Sequence, residues 1–272
     1  MHTPEDLRQQ LRSAVAQFWK TRQAQGRKQG GKSGTKDAGS RSMVTGGKQM
    51  DGFVSLFAWI VQNEGIPASA INVRDTTLPG YFRPEKDWDL VVAVDGRLIA
   101  SVEFKSHVGS FGNNFNNRVE EALGNATDLN TAYREGAFRP STKPWLGYMM
   151  LLEEHENSTR PVKLRQPHFP ALPEFHDTSY QRRYELFCTR LVRERLYDAA
   201  CLIISPSDRG SKGGNTRNHW KSSPSATLSR LYKVSSPRRS EDRLSNGHCV
   251  PALRVDFDIF PPLRSCQRIR LP

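Results

Sequence analysis

The sequence predicts an α/β fold, because amphipathic helices alternate along the chain with a few short apolar runs that are typical of buried strands. The chain has 272 residues, of which 36% are hydrophobic, so it can build one sizeable core. We expect a main domain over residues 1–208. Residues 209–272 form a divergent basic tail, rich in Ser, Arg, Pro and Gly, in which only VDFDIF (255–260) resembles a regular element, so we expect much of the tail to be poorly ordered.

The N-terminal part of the chain shows two amphipathic helices separated by a basic loop. Residues 4–25 place five large apolar side chains at helical spacing: Leu7, Leu11, Val15, Phe18 and Trp19. Residues 26–48 are rich in Gly, Lys, Ser and Thr and predict a loop that becomes ordered on a ligand. A second helical pattern starts at Met50 and ends near Gly65, and it opens the core of the domain, which we place at about residues 50–205.

The rest of the main domain supplies the strands. The predicted elements are a strand pair at 89–106, an Asn-rich loop at 111–118, a helix through 119–133, a strand at 145–153, a surface connection at 154–176, a helix through 180–196 and a strand at 201–205. Residues 71–87, which precede the strand pair, are rich in turn-forming residues and predict no long element.

Composition argues against a membrane-spanning protein and a structural zinc site, and the charge distribution suggests a polyanionic partner. The net charge of +12 sits at the two ends, with ten Lys and Arg against three Asp and Glu in residues 1–50, and thirteen against five in residues 205–272. Basic ends suit a polyanion such as nucleic acid, although solubilising tails would look the same. No apolar run is long enough to span a bilayer, and the four cysteines do not fall at zinc-site spacing. We expect a soluble, cytoplasmic protein with reduced thiols and no membrane partner.

Three charged residues at the ends of the predicted strand pair form a candidate site. Asp89 precedes the first strand, and Glu103 and Lys105 lie near the end of the second. Two carboxylates at one sheet edge can hold a hard divalent cation, and a neighbouring lysine can position a water or steady a negative transition state. An ExK triplet is expected about once by chance in a chain of this length, so a surface ion pair is the alternative.

The register of the strand pair decides whether the two carboxylates meet. A two-residue loop, Asp95 and Gly96, would place Asp89 opposite Val102 and turn Glu103 to the other face. A three-residue loop over 95–97 with a bulge would place Asp89 opposite Glu103. Only the second register makes one face entirely apolar, so hydrophobic patterning favours the arrangement in which the charged residues share a face.

These residues and their surroundings carry a resemblance. The D…ExK arrangement on adjacent strands resembles the PD-(D/E)xK nuclease superfamily, and longer passages resemble the XhoI-type restriction endonucleases. The passages are VTGGKQMDGF (44–53), LPGYFRPEKDWDLVV (78–92), EFKS (103–106), FGNNFNNRVEEALGNATD (111–128), TAYREGAF (131–138) and RLVRERLYDAACLIIS (190–205). The fold implied is a restriction-endonuclease-like core, a mixed central sheet flanked by helices. Residues 210–272 show no such resemblance.

The resemblance implies a homodimeric, Mg²⁺-dependent type II restriction endonuclease, a site-specific deoxyribonuclease that cleaves the palindrome CTCGAG to leave 5′-phosphate ends and 5′ overhangs. Asp89 and Glu103 would ligate the metal together with the Phe104 carbonyl, and Lys105 would position the attacking water. A two-fold dimer suits a palindrome, because each protomer can read one half. A cognate DNA methyltransferase is the expected functional partner.

Residues that read double-stranded DNA are predicted from side-chain chemistry, because Asn, Gln, Lys and Arg recognise adenine and guanine edges. The candidates are Lys48, Gln49, Asn113, Asn114, Asn116, Asn117 and Arg118. The Asn-rich segment could equally be ordinary turns and caps. Two other functions stay open: a repair or junction-resolving nuclease of the same superfamily, and a DNA-binding protein without catalysis.

Overall fold

The computed structural model describes residues 4–30 and 48–210 and has the α/β architecture that the sequence predicts. Most of the basic loop (31–47), the tail from 211 onwards and its VDFDIF segment lie outside the described residues. Residues 26–30 were predicted as loop but belong to the first helix, α1 (Pro4–Gly30). None of the helices within the described ranges is long and apolar enough to cross a membrane.

A mixed five-stranded sheet forms the centre of the fold. Its strands are β1 (Ile71–Asn72), β4 (Leu90–Val94), β5 (Arg97–His107), β6 (Trp145–Glu153) and β7 (Ala199–Ser205). They lie in the order β1-β4-β5-β6-β7, antiparallel as far as β5 and parallel from β5 to β7. Two further short strands, β2 (Thr77–Pro79) and β3 (Glu85–Asp87), form a separate antiparallel hairpin.

Hairpin β4–β5 has the predicted register but not the predicted loop. Leu90 pairs with Val102, as the three-residue loop required, yet the turn itself contains only two residues, Asp95 and Gly96. Both have positive φ, 48° and 72°, which matches the type I′ turn that Asp-Gly favours. The extra residue is Ile99, which bulges between the pairs Val92–Ala100 and Ala93–Leu98 and shifts the register by one.

Helix α1 and helix α2 (Asp51–Asn63) cover one face of the sheet. All five apolar residues predicted for the inner side of α1 are buried, and Phe18 and Phe53 are fully enclosed. The sheet contributes Leu90, Val92 and Phe104 to this cluster, as the patterning predicted. The prediction that Leu98 shares their face was wrong, because the bulge turns it to the opposite cluster. The Trp19 indole N–H donates to the Ser205 hydroxyl at 2.9 Å and ties α1 to the end of β7.

Helices α3 (Phe111–Arg134) and α5 (Tyr180–Arg193) cover the other face; the short helices α4 (Glu156–Thr159) and α6 (Ser207–Gly210) complete the fold. The prediction that FGNNFNNR is a loop was wrong, because it forms the first two turns of α3. Phe111 is buried there, and Phe115 packs against the ring of Tyr184 at 5.0 Å. This burial outweighs the weak helix propensity of Asn.

Candidate active site

Asp89 lies between β3 and β4 and reaches across to β5. Its Oδ2 accepts the backbone N–H of Phe104 at 2.7 Å, so the carboxylate is fixed beside the strand that carries Glu103. The observed pairing of Leu90 with Val102, extended by one residue, sets Asp89 opposite Glu103. The structure therefore brings the two predicted carboxylates together at one place in the sheet.

Glu103 and Lys105 lie two residues apart on β5 and so share a face of the sheet. Glu103 is only 2% exposed, and its Oε1 forms an ion pair with the Lys105 ammonium. Lys105 remains 23% exposed, so the cluster is open to a ligand on the lysine side. This is not the surface ion pair that was the alternative, because the acid is buried.

Lys86, which the sequence reasoning did not assign, supplies a second cation. Its ammonium lies 2.7 Å from Glu103 Oε2, 2.8 Å from the carbonyl oxygen of Asp87 and 4.3 Å from the centroid of the Trp88 ring. The residue lies on β3, in the separate small hairpin, and only 13% of its side chain is exposed. Two carboxylates thus face two ammonium groups in one partly buried cluster.

The electrostatics of the cluster separate the two acids. Burial raises the pKa of Asp89, and the neighbouring Glu103 charge raises it further, against the opposing effect of Lys105. Burial would also raise the pKa of Glu103, but Lys105 and Lys86 together outweigh it and hold that pKa below its usual value. Burial would lower the pKa of Lys105, yet Glu103 and Asp89 keep it above the ordinary range. Glu103 is therefore the firmly ionised acid and Lys105 a firm cation.

The oxygens of this cluster fit a hard divalent cation. In an extended strand the N–H and C=O of one residue point the same way, so the Phe104 carbonyl faces the edge where its N–H meets Asp89. Within residues 4–30 and 48–210 no group of three or more His, Cys, Asp or Glu could hold a metal. The cluster has two carboxylates only, and Asp89, Glu103 and the Phe104 carbonyl are the oxygens that could hold a divalent cation completed by water and substrate oxygens.

His107 lies on the same face of β5 as Glu103 and Lys105, two residues beyond Lys105, and was not predicted from the sequence. It is 2% exposed, its Nδ1 lies 2.7 Å from the Tyr184 hydroxyl, and burial lowers its pKa to about 4. The imidazole is therefore neutral at physiological pH and ties β5 to α5. The alternation of buried positions along β5 is the only sequence signal that could have indicated that His107 is buried.

The residues predicted to read DNA are divided between two places. Lys48 is exposed, whereas the neighbouring Gln49 is 5% exposed and faces the interior. The others lie in the first turns of α3: Asn116 and Asn117 are exposed, Asn114 is partly buried, and Arg118 pairs with Glu121 at 2.6 Å. The side chain of Asn113 is not among those described. These polar groups of α3 follow directly from the end of β5.

Comparison with known proteins agrees with the geometry. The chain matches the family of the restriction endonuclease XhoI over residues 28–217. It is 52% identical over 185 residues to the type II restriction enzyme BstVI of Geobacillus stearothermophilus, covering 65% of this chain and 83% of that enzyme. It is 45% identical over 207 residues to XhoI of Xanthomonas vasicola, with 73% and 80% covered. AbrI of Azospirillum brasilense is 47% identical over 167 residues, with 60% and 74% covered.

The chain belongs to the XhoI restriction endonuclease family. Restriction endonucleases are hydrolases of DNA, and Lys86, Asp89, Glu103 and Lys105 all lie within the matched residues. The match ends at residue 217, so residues 218–272 of the basic tail lie beyond it, whereas the sequence resemblance was expected to end at residue 209. No solved structure matches the chain significantly.

Proposed function

We propose that this member of the XhoI family is a type II restriction endonuclease that cleaves double-stranded DNA at CTCGAG in an Mg²⁺-dependent reaction and leaves 5′-phosphate ends. The observation that carries the proposal is the fixed neighbourhood of Asp89, Glu103 and Lys105, with Asp89 bonded to the backbone of the strand that bears the other two. The specificity is proposed from the resemblance to XhoI-type enzymes and from 45% identity to XhoI itself.

Each group of the cluster has a role in phosphodiester hydrolysis. Asp89, Glu103 and the Phe104 carbonyl would hold Mg²⁺, which when bound polarises the scissile phosphate and offsets its growing negative charge. Lys105 orients the attacking water by hydrogen bonding and places a positive charge beside the phosphate. The water oxygen bonds to phosphorus and releases a proton to solvent as the bond from phosphorus to the 3′ oxygen breaks, and the 3′ oxygen takes up a proton from solvent. The products are a 3′-hydroxyl and a 5′-phosphate.

Lys86 contributes to the same balance of charge. With both ammonium groups present, the two carboxylates are neutralised before a cation or a phosphate arrives, and Glu103 can stay ionised although it is buried. Lys86 therefore positions Glu103, since it contacts the carboxylate through Oε2 while Lys105 contacts Oε1. We assign it as a positioning residue rather than a catalytic one.

The proposed enzyme is a homodimer, because a palindromic site presents two identical halves to two identical protomers. It acts in the cytoplasm. Basic residues near the N-terminus and in the tail add salt-dependent affinity for the DNA backbone. Its functional partner is a DNA methyltransferase that protects the same sequence, since an unprotected genome would be cut.

Cleavage of plasmids by the full-length chain tests the proposal. A plasmid with one CTCGAG is incubated with the protein and Mg²⁺, beside a plasmid in which one base pair of that site is changed. The expected result is a linear product from the first plasmid alone, with religatable 5′-phosphate ends, and no cleavage in EDTA. Cutting of branched junctions in preference to CTCGAG supports a junction-resolving nuclease, and salt-sensitive binding without any cut supports a non-catalytic protein; either contradicts the proposal.

A further inference from the structure

The tip of the β2–β3 hairpin, residues 80–84, exposes two aromatic rings. Tyr81 is 53% exposed and Phe82 is 68% exposed. Their rings meet edge to face, with centroids 5.0 Å apart and planes at 84°. Two adjacent exposed rings form an apolar projection that the packing among residues 4–30 and 48–210 does not bury.

The exposed tip is held rigidly by a buried acid of α3. Asp128, 3% exposed, accepts the backbone N–H groups of Tyr81 and Phe82 at 2.7 Å each and the Nε–H of Arg83 at 2.8 Å. Arg83 also donates to the Asn125 side-chain oxygen at 3.0 Å. A loop that is fixed before binding loses little conformational entropy when it meets a partner, so the rings are presented in a preorganised arrangement.

Gly80 shows how closely the tip is fitted to this anchor. A Cβ at this position would lie 2.5 Å from Asp128 Oδ2 and 2.7 Å from the carbonyl oxygen of Arg83. Only glycine permits so close an approach of the backbone to the carboxylate. The two rings are therefore exposed on a turn that Gly80, Arg83 and Asp128 hold in place.

The short chain distance between the tip and the charged cluster suggests that the rings contact the DNA bound at that cluster. Phe82 lies four residues before Lys86, whose ammonium is 2.7 Å from Glu103 Oε2. Four residues span at most about 14 Å, and B-DNA rises about 3.4 Å per base pair. The backbone of the tip therefore lies within about four base-pair rises of Lys86, which is near enough for its rings to contact a duplex whose scissile phosphate lies at the carboxylates. Arg83, 45% exposed, adds a positive charge beside the rings for the phosphate backbone.

We propose that Phe82, supported edge-on by Tyr81, is a wedge that packs against the bases of bound DNA within about four base pairs of the cleaved bond. The inference rests on the proposed function, because it needs the scissile phosphate at Asp89 and Glu103. Apolar side chains can enter between base steps and partly unstack them, and an exposed, fixed phenyl ring is suited to that contact. The fold thus joins the chemical site and the DNA contact through one short hairpin.

The test uses the full-length chain and duplexes that contain CTCGAG, with 2-aminopurine placed in turn at positions within four base pairs of the cut. Binding is measured without divalent cations, so that no strand is cleaved. We expect wild type to raise the fluorescence at one position as the base unstacks, and Phe82→Ala to abolish that rise and weaken binding about 5- to 100-fold. Phe82→Leu keeps part of the effect, because the wedge need not be aromatic. The dependence of affinity on salt stays the same, since no charge is removed.

Phe169→Ala is the matched control, because Phe169 is 85% exposed and lies in the long connection after β6. It should bind and unstack DNA as wild type does. Equal fluorescence and affinity for Phe82→Ala and wild type would overturn the inference, and so would a loss of dimer in sedimentation with unchanged DNA contacts, which would assign the rings to a second copy. A wild type that neither binds nor cuts CTCGAG would overturn the proposed function instead.

Discussion

Two hairpins meet at the charged cluster, and they are held in place by different forces. Hairpin β4–β5 is buried on both faces, and its register follows from the apolar residues Leu90, Val92 and Phe104. Hairpin β2–β3 is largely exposed, and long-range polar bonds to Asp128 fasten its tip. The comparison shows why Asp89 and Glu103 could be paired from the sequence whereas Lys86 could not, although all three touch one cluster.

The largest difference between the hairpins concerns stability. Phe104 is 3% exposed and packs edge to face on Phe57 at 5.2 Å, so Phe104→Ala should lower the free energy of unfolding by about 3–5 kcal/mol. Phe82→Ala, the same change in the exposed hairpin, should alter it by less than about 0.5 kcal/mol. Urea unfolding of both variants measures the contrast, and equal losses would show that the β2–β3 tip is packed rather than exposed.

The buried His107 on β5 should make the free energy of unfolding depend on pH. Because burial lowers the pKa of His107 to about 4 from an ordinary 6.5, the unfolded chain takes up its proton first as pH falls. Stability is fully present above pH 6.5 and is lost as pH falls from there to about 4, by about 3 kcal/mol for this group. His107→Gln should remove that component from the urea unfolding free energy plotted against pH. The same slope in both proteins would contradict the assignment.

The hydrogen bonds from Asp128 to the β2–β3 hairpin should contribute less to the free energy of unfolding than the packing of Phe104 does. Asp128→Ala removes the acceptor of two backbone N–H groups and of the Arg83 guanidinium, which leaves polar groups without partners at a cost of about 1–3 kcal/mol. Glu121→Ala on the same helix removes a 44% exposed carboxylate that pairs with Arg118, and it should cost less than about 1 kcal/mol. Thermal unfolding compares them; an Asp128→Ala protein as stable as the control would show that the tip is not anchored.

Two glycines should give the smallest effects, with opposite signs: Gly96 in the β4–β5 turn and Gly124 within α3. Gly96 has φ of 72° and open space around its Cβ position, so Gly96→Ala should cost about 1 kcal/mol from the backbone alone. Gly124, inside α3 and also with open space, should gain about 0.5–1 kcal/mol on change to Ala. A stabilising Gly96→Ala would be inconsistent with the type I′ turn.

Hydrophobic patterning predicted the parts of the molecule that apolar packing determines. It placed β6 at Trp145–Glu153 and the inner side of α1, and it selected the register that sets Asp89 opposite Glu103. The patterning predicted the wrong loop for the β4–β5 hairpin. One extra residue shifts the register equally whether it lies in the turn or within the strand, so the pattern cannot distinguish the two positions. The bulge at Ile99 leaves no trace in the alternation near Asp89.

The parts that were missed depend on contacts between distant positions. FGNNFNNR reads as loop until Phe111 and Phe115 meet the aromatic residues of α5. Lys86 and Asp128 lie in polar contexts, and only the folded chain brings the first to Glu103 and the second to the backbone of Tyr81. No local pattern encodes such a bond, since neither partner is apolar.

Binding of Mn²⁺ by the full-length chain without DNA tests the joint site of Asp89 and Glu103, because it does not rely on turnover. Electron paramagnetic resonance can count the bound ion in wild type, Asp89→Asn, Glu103→Gln and, as a control at a distant ion pair, Lys143→Met. We expect wild type and the control to bind Mn²⁺ and to cut in Mg²⁺, and either carboxylate variant to lose both while still binding DNA. Full metal binding and cleavage by Asp89→Asn or Glu103→Gln would contradict it.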